Sequence, residues 1–146
     1  MGRAVTDEGL VREVSVRKIL REWDCNPFEH IVWPKIEQPI TREEVAEAIG
    51  QGAPQGAVPY DLLGAHRSLW SDPPDREFHV HRVAYLVVHG WSDPIEMDLG
   101  CPSLGGYVPG PTQDGNHRFA AVVYQGLPSV RAQLAGEVKW IRRFYA

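Results

Sequence analysis

The sequence has few of the features that mark secreted, membrane or nucleic-acid-binding chains. Its two cysteines, Cys25 and Cys101, lie far apart and form no Cys-x-x-Cys pair, so a disulfide framework or a cysteine zinc site has no basis. No segment approaches the roughly 18 apolar residues of a membrane span, and the N-terminal residues contain no apolar signal region. The net charge of −4 provides no general attraction to nucleic acids or anionic membranes. We therefore expect a soluble cytoplasmic protein with reduced thiols and no membrane partner.

The chain is long enough for one hydrophobic core. It has 146 residues, 43% of them hydrophobic, and a chain of this length buries one core more readily than two. No internal repeat or low-complexity segment divides it. The sequence predicts a single domain over residues 1–146, with a core of about 14–136 and an insertion at about 51–75.

The first half of the chain predicts one strand and one helix. Alternating apolar residues over Arg12 to Leu20 favour a short strand, and "NPFEH" after it indicates a loop. Thr41 and Glu44 have the spacing of a capping box, so a helix should begin there and end at Gly50. The following residues, 51–75, are rich in Gly and Pro but also carry apolar anchors such as Trp70, which predicts an ordered excursion.

The second half predicts a regular alternation of helices and strands. "REFHVHRVAYLVVHG" has Phe78, Val83, Leu86 and Val87 on one helical face and ends at Gly90. The later predicted elements are a strand with Ile95, Met97 and Leu99 inward, a Gly/Pro-rich loop leading to a very short strand, a helix from Asn116 to Tyr124 ending at Gly126, a strand with Val130, Ala132 and Leu134 inward, and a last short helix in "EVKWIRRFYA".

The stretch "QDGNHRFAA", Gln113 to Ala121, lies where a predicted strand meets a predicted helix. The first turn of a helix has unpaired backbone N–H groups and a partial positive charge, which suit a phosphate. Gly115 would let the backbone approach that phosphate closely. The sequence therefore predicts an anion-binding loop at this junction.

Three side chains of the stretch give the loop its possible chemistry. His117 and Arg118 would add donors within the first helical turn. A carboxylate at Asp114 would repel a phosphate unless Mg²⁺ or a proton lay between them, which points to a metal-bridged nucleotide or to acid/base work. A second interpretation stays open: Asp114 caps the helix, and Arg118 pairs with a surface acid.

The order strand, "DGNHR", "FAA", Gly126, strand resembles the ParB/sulfiredoxin superfamily, and "NPFEH" and "HGWSDPIEMDLG" fit the same plan. This resemblance covers about residues 26–136 and implies an α+β fold with a small mixed sheet and packed helices. Sulfiredoxins have a reactive cysteine where this chain has Asn116, so sulfinic-acid reduction is not expected. Partition ParB proteins carry Glu-Arg-Arg after the glycine and a further DNA-binding region, and this chain has Asn116-His117-Arg118 instead.

Free-serine kinases of the superfamily use an Asp-Gly-His-His-Arg loop, which matches Asp114 to Arg118 in four of five positions. This resemblance implies a nucleotide, ATP or another nucleoside triphosphate, together with Mg²⁺. It makes Asp114, Glu29 and His117 the catalytic candidates and Asp114 the metal ligand. The candidates for nucleotide binding are Gly115, Asn116, His117 and Arg118. For Glu29, an ordinary exposed loop residue is the alternative.

Two other function classes remain open. The chain could be a standalone ParB-like module of the plasmid or phage type, acting through DNA in partition or as a nuclease, with Lys139, Arg142 and Arg143 as basic candidates. It could also be a protein-binding inhibitor or adaptor that has kept the fold without catalysis. Neither class requires a functional nucleotide loop.

Several other residues have a structural and a functional interpretation. His79 and His81 are two residues apart, so on a helix they point away from each other and cannot share a zinc ion with His89 there. Trp91 and Trp70 are more typical of core or lid aromatics than of base-stacking platforms. The loop "SLGGYVPGP" is either a wall beside the phosphate site or a plain connector.

Overall fold

The computed structural model describes residues 10–52 and 75–146. These ranges contain both helices and strands, and a four-stranded mixed sheet confirms the predicted α+β class. The elements are β1 (Val11–Ser15), α1 (Val16–Glu22), α2 (Arg42–Gly50), α3 (Arg76–His89), β2 (Ile95–Asp98), β3 (Thr112–Asp114), α4 (Asn116–Gln125), β4 (Ser129–Ala135) and α5 (Val138–Ile141), with short 3-10 turns at Pro102–Leu104 and Arg142–Phe144. Most of the predicted insertion, including Trp70, lies outside the described residues.

The sheet has the order β1-β4-β2-β3. Strand β4 pairs antiparallel with β1 and parallel with β2, and β2 pairs antiparallel with β3, the strand that leads into α4. Alternate residues Val130, Ala132 and Leu134 of β4 are buried, as predicted, because successive side chains of a strand point to opposite faces. The other face of the sheet carries polar side chains.

The prediction of one strand over Arg12 to Leu20 is wrong in its second half. The strand ends at Ser15, whose Oγ accepts a hydrogen bond from the Lys18 backbone N–H at 3.2 Å. Serine is a favourable N-cap, and Val16 and Ile19 are then buried on one side of α1. A capping residue inside an apolar run therefore divides it into a strand and a helix.

The other helix boundaries agree with the sequence. Thr41 and Glu44 form the predicted capping box of α2, and α3 ends at Gly90 with φ of 72°. The buried face of α3 differs from the prediction, because His79 and Arg82 are buried while Phe78 is only half-buried. Polar side chains of this helix thus lie in the interior, and a pattern of apolar residues does not predict their burial.

Helix α4 separates two hydrophobic clusters. Phe119 and Val122 pack with the inward residues of the sheet and with α1, whereas Ala120 and Ala121 pack with α2 and α3. Trp91 contacts both clusters. Because α4 is enclosed on both sides, its first turn is held firmly between the sheet and α3.

Across residues 10–52 and 75–146, no helix has both the length and the apolar character to cross a bilayer.

Candidate functional site

The start of α4 is a strand-to-helix junction, as predicted. Asp114 is the last residue of β3, and Gly115 is the N-cap of α4 with φ of 118°. A Cβ at position 115 would lie 2.9 Å from Ile95 Cγ2 and 3.0 Å from Arg118 Nη2. Both the backbone conformation and the space therefore require glycine. Within the described chain no side chain caps this helix, so the interpretation of Asp114 as its cap is wrong.

Arg118 is nearly buried, at 6% exposure, and fastens the junction to the loop before β2. Its Nη1 donates hydrogen bonds to the backbone oxygens of Asp93 at 3.2 Å and Pro94 at 3.1 Å. Its Nη2 lies 3.6 Å from Asp114 Oδ2. Part of the guanidinium thus has a structural role, and its acidic neighbour is the aspartate of the same loop rather than a distant surface acid.

His117 points to a different environment. It is 3% exposed, and its Nε2 lies 2.8 Å from Nδ1 of His79 on α3. Neighbouring residues of a helix are about 100° apart, so His117 faces α3 while Arg118 faces the sheet edge. In the structure the two side chains therefore face different environments, and they do not point to one anion site as expected.

The surroundings of His117 favour a neutral imidazole. Burial lowers the pKa of His117 well below its ordinary value of 6.5, and the charges of His79, Arg82 and Arg118 lower it further. The Trp33 ring stacks on both imidazoles, with centroid distances of 4.5 Å to His79 and 4.7 Å to His117. His79, His117 and Trp33 thus form a cluster in the interior of the protein.

A cleft of about 740 Å³ opens on the Arg118 side of the junction. It lies between the second half of α3, the loop that joins α3 to β2, and the polar face of the sheet. Its lining residues are Arg82, Tyr85, Leu86, Gly90, Trp91, Ser92, Asp93, Pro94, Glu96, Asp114, Arg118 and Gln133. Asp114 and Arg118 are the members of the predicted loop that line it.

The charges of the cleft lie at different depths. Arg82, at 2% exposure, and Arg118 are nearly buried, whereas Asp93 and Glu96 are exposed and the Asp114 side chain is 42% exposed. The two cations are therefore deep and the carboxylates are nearer to solvent.

A row of polar residues crosses three strands on the cleft side of the sheet. Glu96 is the Cα partner of Asp114 on β3 and of Gln133 on β4. Like charges directly opposite on neighbouring strands repel each other, so Glu96 and Asp114 together favour a positive charge nearby. Arg118 supplies one such charge beside Asp114.

Arg82, Asp93 and Glu96 were missed by sequence reasoning. Arg82 directly precedes an apolar stretch of α3, and Glu96 lies between two inward residues of a strand, so each had a local signal. The sequence does not show that α3 lies beside the sheet edge. This placement brings Arg82, Asp93 and Glu96 to the same cleft as Arg118.

Glu29 is not brought to this cleft. Its side chain is exposed, and its Oε2 accepts a hydrogen bond from Asn26 Nδ2 at 3.0 Å. The Asn26 Oδ1 in turn accepts from the backbone N–H of Phe28 at 2.9 Å. "NPFEH" is thus a turn stabilised by its own side chains, which agrees with the alternative of an ordinary loop residue.

The remaining candidates also lie elsewhere. His81 Nε2 is 3.9 Å from Glu77 Oε1, and His89 stacks beside Tyr85. Over residues 10–52 and 75–146, no group of three or more His, Cys, Asp or Glu side chains could hold a metal ion. Burial, together with the nearby charge of Asp24, raises the pKa of the Cys25 thiol to about 12, so Cys25 stays protonated.

The residues that line the cleft include none from the loop "SLGGYVPGP", residues 103–111. Cys101 and Gly106 form a bridge at its base, and Trp23 Nε1 donates to the Val108 backbone oxygen at 3.1 Å. These contacts favour the connector interpretation over a wall of the site.

Comparison of the chain with protein-family models, with curated proteins and with solved structures finds no match. The resemblance to the ParB/sulfiredoxin superfamily stays a prediction.

Proposed function

We propose that the cleft binds a nucleotide through its phosphates. The observation that supports this most is the presence of two nearly buried arginines, Arg82 and Arg118, in one cleft beside the glycine-capped start of α4. One guanidinium group can donate hydrogen bonds to two phosphate oxygens at once, and a helix start adds a partial positive charge. The deep part of the cleft therefore suits the anionic end of a ligand.

The size and the walls of the cleft suit the rest of a nucleotide. Small-molecule sites commonly enclose about 300–1,000 Å³, and this cleft lies within that range. Tyr85 and Trp91 supply aromatic surface, and Arg82 lies 5.2 Å from the centroid of the Tyr85 ring. An aromatic wall beside buried cations favours a ligand with a planar ring and a charged tail.

Mg²⁺ fits the carboxylates of the cleft. Asp114 and Glu96 are cross-strand partners, and Mg²⁺ commonly uses one or two carboxylates together with substrate phosphates. These residues would hold the ion, which would supply charge neutralisation between the carboxylates and the phosphates. In this proposal Asp114 is a ligand of the metal ion, as the resemblance implies.

Phosphoryl transfer or hydrolysis is the reaction that we propose for such a complex. In hydrolysis, a water oxygen forms a bond to the terminal phosphorus while the bond from phosphorus to the bridging oxygen breaks. The proton of the water passes to Asp93, the third carboxylate of the cleft, since Asp114 and Glu96 are the proposed ligands of the ion. Arg118 and Arg82 stabilise the charge on the phosphate oxygens. Glu29 has no part in this proposal, because it lies outside the cleft.

Calorimetric titration with ATP, ADP and pyrophosphate, with and without Mg²⁺, tests the proposal. Arg82→Gln should weaken binding of every phosphate ligand by about tenfold or more, because hydrogen bonds to charged groups contribute about 1.5–3 kcal/mol. Arg21→Gln is the matched control, since Arg21 is an exposed arginine on α1. Absence of binding in the parent protein, or equal losses in both variants, would contradict the proposal.

A second candidate function has its own observation. The structure joins two basic segments that are far apart in sequence: Lys18 Nζ donates to the Tyr145 backbone oxygen at 3.1 Å, and the Trp23 ring lies 5.2 Å from Phe144. The exposed cations of this basic surface are Arg12, Arg17, Lys18, Arg21, Lys139, Arg142 and Arg143. Segments 11–24 and 137–146 contain these seven cations and four carboxylates, a formal charge of +3 in a chain of −4.

We propose nucleic-acid backbone binding as the function of this basic surface. Phosphate contacts release counterions, so the logarithm of affinity falls with the logarithm of salt by about 0.9 for each phosphate neutralised. Arg142→Gln with Arg143→Gln should therefore reduce this salt slope on a DNA duplex by about 1.8, taking one phosphate for each side chain. Lys35→Gln with Arg42→Gln removes the same charge elsewhere. Equal slopes for the two double variants would exclude the basic surface as the contact.

A further inference from the structure

The buried pair His79 and His117 joins the two helices that carry the arginines of the cleft. His79 lies one helical turn before Arg82 on α3, and His117 immediately precedes Arg118 on α4. The side-chain hydrogen bond between His79 and His117 is short, with Nδ1 of His79 2.8 Å from Nε2 of His117. A change in this contact would therefore act on the helical turns that carry both arginines.

The hydrogen bond fixes the protonation state of the pair. One facing nitrogen must donate and the other must accept, so at least one imidazole is neutral. Two charged rings would direct two N–H groups at each other. Within residues 10–52 and 75–146, Arg82 from α3 and Arg118 from α4 are charged groups near His117, and both disfavour a positive imidazole there.

Packing holds the two rings in one orientation. The imidazoles lie edge to edge, with centroids 5.1 Å apart and planes at 19°, and Trp33 stacks on both. Phe78 meets both rings edge-on, at 5.7 Å and 6.1 Å. An enclosed pair with this geometry has little freedom to rotate, so it can define a distance between α3 and α4.

We infer that His79 is a positioning residue, which sets the separation of Arg82 and Arg118 through its hydrogen bond to His117. The inference rests on the proposed phosphate binding in the cleft. His79 touches no ligand, and its effect on affinity is carried by the spacing of the two guanidinium groups. A phosphate chain that bridges both arginines then requires the hydrogen bond to be intact.

Pyrophosphate is the probe, because it tests the two cations without a base or sugar. His79→Leu removes the hydrogen bond and should weaken pyrophosphate binding by about tenfold, within the usual range of coupling between sites. His79→Asn places an amide where Nδ1 was and should restore affinity to near the parent value. His81→Leu, on the half-exposed side of α3, is the control and should bind as the parent does.

The rescue separates positioning from a merely structural role. Affinity in His79→Leu equal to that of the parent would overturn the inference, and so would an equal loss in the Leu and Asn variants. If His79→Leu does not fold, His79→Gln takes its place, because its amide lies one methylene too far along the side chain. Weakened binding in the Gln variant beside restored binding in the Asn variant supports the inference, and equal affinity overturns it.

Hydrogen exchange distinguishes this inference from the proposed function. The Phe119 backbone N–H donates to the Gly115 oxygen at 2.8 Å, so its exchange reports the first turn of α4 without any ligand. Faster exchange of this amide in His79→Leu, but not in His79→Asn or His81→Leu, supports the positioning role even if the parent fails to bind pyrophosphate. Unchanged exchange in all three variants overturns it. Failure of the parent to bind pyrophosphate overturns the proposed function alone.

Discussion

His117 and Arg118, in the first turn of α4, lie on two different sides of the helix and have different surroundings. On one side, His117 is buried against His79 and Trp33, and its environment keeps the imidazole neutral. On the other side, Arg118 lines a cleft together with Arg82 and three carboxylates. Of these two adjacent residues, His117 thus belongs to the interior and Arg118 to a candidate binding surface. The division follows from helix geometry, which points consecutive side chains about 100° apart.

Gly115→Ala should have the largest effect, because this glycine supports both sides. The positive φ and the contacts of a Cβ with Ile95 and Arg118 should reduce the free energy of unfolding by about 2–3 kcal/mol. Gly110→Ala is the matched control, since a Cβ there meets nothing within 4 Å. Thermal or denaturant unfolding measures both. Similar stability in the two variants would mean that the junction is not constrained as described.

The second largest effect should be a loss of stability at acidic pH that comes from His117. The folded chain lowers the pKa of His117 below 6.5, so the unfolded chain binds a proton that the folded chain does not. Stability from this group is complete above pH 6.5 and falls as the pH drops below 6.5, by up to about 1.4 kcal/mol per pH unit for one proton. Denaturant unfolding between pH 8 and 5 measures this slope.

His117→Gln supplies the comparison for the pH dependence, because its amide can occupy the position of Nε2 and does not titrate. The slope below pH 6.5 should be smaller in this variant than in the parent. The ion pair of Glu44 and Arg76 is a separate source of pH dependence, since Arg76 lowers the pKa of Glu44 to about 2. Its contribution is lost only between about pH 4.5 and 2. An unchanged slope above pH 5 in His117→Gln would show that His117 is not the group responsible.

Asp114→Asn should have the smallest effect on stability. Its carboxylate is 42% exposed and 3.6 Å from Arg118, and such partly exposed pairs contribute about 0–1 kcal/mol. Binding should respond differently: the Mg²⁺ dependence of ATP affinity should decrease, because one of two cross-strand carboxylates is lost. Calorimetry with and without Mg²⁺ compares the variant with Glu77→Gln, an exposed acid on α3 outside the cleft. Equal Mg²⁺ dependence in both variants would remove Asp114 from the metal site.

The strand-to-helix junction was predictable because its signals are local. A glycine after a short strand, followed by the apolar residues of α4, identifies the boundary at Gly115 from the sequence alone. The four strands and the capping box of Thr41 and Glu44 depend on similarly local patterns. Ser15 is the exception, because it ends β1 inside an alternating run that also reads as a longer strand.

The partners of the junction were not predictable. His79 and Arg82 are polar residues on a helix whose buried face was inferred from apolar periodicity, and only the packing of α3 on α4 explains their burial. Glu29 was assigned through the resemblance, yet its contacts lie within its own turn. Residues that act across the fold depend on tertiary contacts, and spacing in the sequence does not encode these directly.

The central proposal is that the Arg118 side of the junction, and not the His117 side, receives the phosphates of a nucleotide. A crystal structure of the chain grown with ADP and Mg²⁺ tests it most directly. We predict phosphate oxygens within hydrogen-bonding distance of the Arg82 or Arg118 guanidinium groups in the cleft. Phosphates bound only at Arg142 and Arg143, or an empty cleft in a crystal saturated with ADP, would contradict the proposal.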